Sequence, residues 1–102
     1  MKRADLDWKN LEFGYRKTDW NIRYTWRDGN WSAGELTADE HIPMHMAATC
    51  LHYGQECFEG LKVFEQKNGD VVVFRVEENA KRLIRSCEKI YMQPPSEELF
   101  ID

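Results

Sequence analysis

A run of about eighteen apolar residues, the length a membrane-spanning helix needs, occurs nowhere in this 102-residue chain. The opening "MKRADLDWKN" is basic but has no apolar stretch behind it, so a secretory signal is not expected either. The default expectation is a cytoplasmic protein. Charge of one sign is also missing: fourteen Lys and Arg are scattered among eighteen Asp and Glu, for a net charge of −4. No basic stripe suited to a phosphate backbone results, and nucleic acid is excluded as an expected partner. Cysteine is sparse and odd in number: Cys50, Cys57 and Cys87 contain no C-x-x-C pair. That pattern fits reduced thiols better than a disulfide framework. Those thiols could be drawn with His41, His45 and His52 as a zinc cluster, but the set straddles Pro43 and an apolar run. Small buried thiols and hydrogen-bonded histidines are the preferred reading, and no metal is expected.

What is present is enough apolar material to fold. Hydrophobic residues make up 42%, with four Trp, four Tyr and five Phe, which argues for a packed core and against disorder. At this length the chain is one domain or part of one. "NIRYTWRDGNW" alternates Ile22, Tyr24 and Trp26, turns at Asp28-Gly29 and resumes at Trp31, which reads as a β-hairpin. In "GLKVFEQKNGDVVVFRV", Asn68-Gly69 offers positive φ values for a tight turn, with Val71 to Val76 returning as the second strand. Between the hairpins, Met46 to Cys50 suits either a short helical turn or a buried approach to the next strand.

After Val76 the period changes. Ala80, Leu83, Ile84, Cys87 and Tyr91 fall at helical spacing, so an amphipathic helix is expected over about 77–91. Glu77 and Glu78 suit its first turn, and Pro94-Pro95 is expected to end it. "SEELFID" begins another helix with Ser96 as N-cap and stops before that helix can pack. The expected fold class is α+β, antiparallel hairpins forming a sheet with the helix packed on one face.

Chemistry-capable residues crowd into "LHYGQECFEGLKVF", Leu51 to Phe64. Taken alone, Tyr53 and Phe58 read as packing aromatics, and Gly54 and Gly60 as turns or as places where a ligand comes close. Arg82, at the border of the helix's apolar face, either lays its stem on apolar surface or offers its fork to a phosphate or carboxylate. Lys62 reads as a solvated strand lysine, since nothing nearby desolvates it.

"FGYRKTDWN", "LHYGQECFEGLKVF", "VFRVEENAKRLIRSCEKIYM" and "PSEELFID", in that order and spacing, closely resemble the N-terminal part of branched-chain amino acid aminotransferases, fold-type IV enzymes that use pyridoxal 5′-phosphate. The resemblance runs from about Leu11 to Asp102. It implies an incomplete small domain, with a larger cofactor-lysine domain lying downstream. It further implies that Phe13, Tyr53 and Phe58 line an apolar substrate pocket, that Gly60 gives the substrate room, and that Arg82 binds the cofactor phosphate.

The implied reaction exchanges the amino group of leucine, isoleucine or valine with 2-oxoglutarate, in a homodimer. The lysine that holds the cofactor belongs to the later domain in the family, and Lys62 does not match it. This chain alone is therefore expected to be inactive, to bind cofactor weakly or not at all, and to have open sheet edges that invite self-association. Val76 stands where many relatives have proline, and Met46 and Ala48 where related enzymes carry glutamate and serine, which leaves the geometry around His45 open. The competing reading is a stand-alone, non-catalytic module that uses Phe13, Tyr53 and Phe58 to hold an apolar ligand or protein. A fold-type IV relative with another amino-group substrate is a third.

Overall fold

The computed structural model describes residues 5–102. They divide into two compact units, one reaching to Met44 and the other starting at His45. The first unit is a broken hairpin. Strands β1 (Asn21–Arg23), β2 (Trp26–Arg27), β3 (Asn30–Trp31) and β4 (Glu35–Thr37) form two antiparallel ladders, β1 with β4 and β2 with β3. In the inner ladder Trp26 faces Trp31 and Arg27 faces Asn30. Asp28 and Gly29 both take left-handed backbone, φ 52° and 80°, as a two-residue turn between right-twisted strands requires. The Trp26 and Trp31 rings lie 5.6 Å apart and tilted, a cross-strand aromatic pair that reinforces the ladder.

The hairpin expected around Asp28-Gly29 is thus present, and it continues outward. Thr25 and Ser32 bridge the break, with the Ser32 N–H donating to the Thr25 carbonyl at 2.8 Å and the Thr25 N–H to Ser32 Oγ at 2.9 Å. Beyond it Ile22 pairs with Leu36. A Cβ on Gly34 would stand 2.9 Å from both Ile22 Cδ1 and the Tyr24 hydroxyl, the far ends of two side chains that would have to swing aside.

The second unit is organised by a helix. The ambiguous stretch resolves as a short helix α1 (Thr49–His52), closed by Gly54 in left-handed backbone. Ala48 occupies its N-cap without a side-chain hydrogen bond. Around it, His45 Nδ1 accepts from the Ala47 N–H at 3.0 Å and the His52 ring meets the Met46 carbonyl. His45 is therefore engaged with its own backbone. Next come β5 (Val63–Glu65) and β6 (Val71–Val73), paired with Phe64 opposite Val72. Only Gly69 is left-handed in their turn, φ 88°. Asn68 contributes its side chain instead, accepting from the Asp70 N–H at 3.0 Å.

The return strand ends at Val73, short of the expected Val76, because Arg75 swings to φ 50°, ψ 50° and launches α2 (Val76–Lys89). A proline in place of Val76 would oppose that conformation, since a residue before proline is pushed to extended backbone. Helix α2 ends through its own backbone and not at Pro94-Pro95. Tyr91 turns left-handed at φ 57°, the Met92 N–H donates to the Cys87 carbonyl at 2.9 Å, and the Tyr91 N–H to that of Glu88 at 3.3 Å. These two bonds satisfy carbonyls the helix would otherwise leave open.

Helix α3 (Glu97–Ile101) starts at Ser96, whose hydroxyl accepts from the Leu99 N–H at 3.1 Å as expected. Contrary to the expectation that it could not pack, α3 lies against α2.

The α+β class holds, with a difference in how the parts associate. Among the described residues the strands form three separate two-stranded ladders and not one sheet. Two-stranded ladders of this length are marginal on their own. The core is correspondingly thin: the buried hydrophobic residues among those described are Ala80 and Cys87, both on the inward face of α2. Tyr91, expected on that face, is instead exposed, since the helix has already ended.

Candidate functional site

The segment Gln55–Gly60 lies outside any regular strand, yet its accessibility alternates strictly. Gln55, Cys57 and Glu59 are half-buried, whereas Glu56, Phe58 and Gly60 are exposed, the period of two that extended backbone imposes. The inward residues meet α2 in antiparallel order. Gln55 Nε2 donates to the Ile90 carbonyl at 2.8 Å, Cys57 Sγ lies 3.6 Å from Cys87 Sγ, and Glu59 takes the Arg82 guanidinium. Asn79 completes the row, donating at 3.0 Å both to Glu59 Oε1 and to the Gly60 carbonyl. Polar contacts hold this segment to the helix, and the outward face is left to Phe58.

The Glu59–Arg82 pair dominates the electrostatics. Arg82 Nε donates to Glu59 Oε2 at 2.8 Å, and one terminal nitrogen donates to Oε1. The Glu59 side chain is only 4% exposed while that of Arg82 is 60% exposed. Arg82 holds the Glu59 carboxyl down to about 2, overcoming the burial that pushes it up, with Asn79 helping. Glu59 in turn raises Arg82, which stays cationic.

An open cleft of about 300 Å³ runs beside this pair, lined by Phe74, Arg75, Glu78, Asn79, Arg82 and Arg85. Three guanidiniums therefore face two carboxylates, counting Glu59, which Arg82 contacts directly. Arg75 lies 3.8 Å from Glu78, and Arg85 has no ion-pair partner among the described residues. The surplus positive charge suits an anion, and planar guanidinium forks suit a phosphate or carboxylate.

The expected site residues fall as follows. Tyr53, Phe58, Gly60 and Arg82 are in the second unit, and Phe13 is in the first. Phe13, Tyr53 and Phe58 are all strongly exposed, so none is the packing residue that its type alone suggests. A Cβ on Gly60 would meet nothing within 4 Å, so the glycine faces open space. Lys62 is exposed on the approach to β5.

Sequence reasoning passed over Glu59, Asn79 and Arg75, and gave Arg85 to solvent. The signal was there in the alternation of Gln55, Cys57 and Glu59 and in the i, i+3 spacing of Asn79, Arg82 and Arg85. Among the described residues no group of three or more His, Cys, Asp or Glu could hold a metal ion.

A cleft lined by three arginines suits a small molecule with an acidic group, whereas Tyr53 lines a separate opening with Thr49, Gly54, Gln55 and Ile90. Sequence relatives narrow that class. The chain is 48% identical over 97 residues to a branched-chain-amino-acid aminotransferase of Helicobacter pylori, and 45% identical over 97 residues to one of Haemophilus influenzae. Each match takes in 95% of this chain and 28% of the relative. A chloroplastic branched-chain-amino-acid aminotransferase 5 of Arabidopsis thaliana is 38% identical over 100 residues, 97% of this chain and 24% of that protein. No family model matches the chain. By these relatives the chain belongs to the branched-chain-amino-acid aminotransferase family, and it spans about a quarter of their length.

Proposed function

We propose that this chain supplies one wall of the active site of a pyridoxal-phosphate-dependent branched-chain aminotransferase. The observation that carries the reading is Arg82, set by Glu59 and Asn79 beside a cleft that gathers Arg75 and Arg85. The donor set fits the phosphate of pyridoxal 5′-phosphate. Glu59 occupies the Arg82 Nε and one terminal nitrogen, and the remaining N–H groups are available to an anion. When bound, the cofactor supplies the electron sink for transamination.

The residues of this chain orient and select. Arg82 would anchor the phosphate, and Glu59 fixes the plane of its guanidinium. Phe58 and Tyr53 would present apolar surface to the side chain of leucine, isoleucine or valine, and Gly60 would leave the space that side chain needs. Phe13, in the first unit, has its substrate role from family resemblance alone. The residue that holds the cofactor and moves the α-proton is a lysine outside this chain, in a larger domain. Alone, the chain is therefore expected not to transaminate. Homodimer formation, 2-oxoglutarate as amino acceptor and a cytoplasmic address belong to the same proposal.

The test has two parts. Inorganic phosphate titrated into the isotopically labelled protein should shift the side-chain nitrogen signals of Arg82, Arg75 and Arg85, and Arg82→Gln should abolish the response. Joined to the downstream coding sequence, the wild-type chain should turn over leucine with 2-oxoglutarate, and Arg82→Gln should raise the cofactor requirement. Phosphate shifts elsewhere, or unchanged cofactor affinity in Arg82→Gln, would overturn the assignment. Leucine binding to the chain with no cofactor present would favour a non-catalytic binding module instead.

A further inference from the structure

The row of contacts between Gln55–Gly60 and α2 contains one pair with no part in anion or substrate binding. Cys57 and Cys87 come from opposite sides of that row, thirty positions apart in sequence, with their sulfurs 3.6 Å apart. Neither is in a disulfide. The backbones that carry them are held in register on both flanks, by Gln55 on the Ile90 carbonyl and by Asn79 and Arg82 on Glu59. Closing the gap to the S–S bond length of about 2.05 Å therefore asks for side-chain rotation and a small approach of an extended segment, not a rearrangement. We infer that Cys57 and Cys87 form a modification site, a dithiol that a peroxide oxidises to a disulfide stapling the Gln55–Gly60 segment to α2. The inference does not depend on what occupies the arginine cleft.

The two thiols have different roles. Cys57 is half-buried and the more accessible, whereas Cys87 is 3% exposed and its thiol is pushed up to about 11, by burial first and by Cys57 next. Cys57 is accordingly the sulfur that meets the oxidant. Its sulfur attacks one peroxide oxygen, the O–O bond breaks, and Cys57 becomes a sulfenic acid while the other oxygen takes up the proton given up by the Cys57 thiol and leaves as water. The Cys87 sulfur then attacks the Cys57 sulfur. The S–S bond forms, the S–OH bond breaks, and the hydroxyl leaves with the Cys87 proton as a second water. Two thiols are oxidised and one peroxide is reduced to two waters. Cys50, seven positions before Cys57, is the internal control.

The experiment treats the folded protein with hydrogen peroxide, alkylates what remains, digests without reduction and maps linkages by mass spectrometry. A Cys57–Cys87 linked peptide, lighter by two hydrogens and lost on adding dithiothreitol, should be the main product. In urea the preference should switch to Cys50–Cys57, because that pair closes the shorter loop in an unfolded chain. In Cys87→Ser, Cys57 should accumulate as sulfenic acid that dimedone captures. In Cys57→Ser, Cys87 should stay reduced. The inference is overturned by a native linkage through Cys50, by Cys57 passing to sulfinic acid while Cys87 remains alkylatable, or by the same product ratio with and without urea.

Discussion

The two units of this protein solve the same problem by different means. Up to Met44 the chain relies on backbone ladders: β1 to β4 pair in two steps around a left-handed Asp28-Gly29 turn, and the side chains add one tryptophan pair. From His45 onward one helix does the organising, and an irregular segment is attached to it by Gln55, Glu59, Asn79 and Arg82 side chains. A ladder tolerates side-chain change wherever the backbone is undisturbed. A segment held by side chains depends on each of them, so polar substitutions should matter far more in the second unit than in the first.

The largest effect is expected where α2 is most tightly packed. Ala80 is 0% exposed, so the larger side chain of Ala80→Leu has no room without displacing its neighbours, at a cost of about 3 kcal/mol in chemical denaturation. Next comes the Glu59–Arg82 pair. Because the folded state depresses the Glu59 carboxyl, its contribution is complete above the ordinary carboxylate range and is lost as pH falls from about 4.5 toward about 2. Thermal melts over that range should show the second unit losing stability, and Glu59→Gln should flatten that loss. An unchanged acid limb in the variant would place the main acid sensitivity elsewhere, for example at the depressed Glu40, which accepts from the Tyr15 hydroxyl at 2.6 Å and pairs with Lys17.

In the first unit the sharpest test is steric. Gly34→Ala would set a methyl 2.9 Å from Ile22 Cδ1 and the Tyr24 hydroxyl and should cost about 1 kcal/mol, less if the Ile22 tip swings aside. The smallest effect belongs to Gly60→Ala. With open space around the added carbon and no left-handed backbone to strain, its melting temperature should match wild type. If the proposed pocket is right, the same substitution in a full-length enzyme of the family should still raise KM for branched substrates, a separation of stability from binding that a structural glycine would not give.

How much of this was legible in the sequence depended on whether the determinant was local. Asp28-Gly29, Ser96 and the period of α2 act through neighbouring residues, and each was readable. Asn68-Gly69 marked its turn correctly, although only the glycine went left-handed. The helix end was misread because two prolines were more visible than a left-handed Tyr91, which no residue preference favours. Arg82 was singled out, but its partner Glu59 lies 23 residues earlier, and a contact between an irregular segment and a helix leaves no periodic trace except the brief alternation of Gln55, Cys57 and Glu59. The aromatics suggested a fuller core than exists. Phe13, Tyr53 and Phe58 supply apolar area that the described residues leave uncovered.

The alternation along Gln55–Gly60 also limits how this stretch can change over generations. Because inward and outward residues take turns, deleting or inserting one position between Gly54 and Gly60 would exchange the two faces. Phe58 would be driven against α2, and the carboxylate that now steadies Arg82 would point into water. A change of two positions would keep the faces but lose one rung against the helix. The spacing from Gly54 to Gly60 is therefore set by the helix the segment lies against.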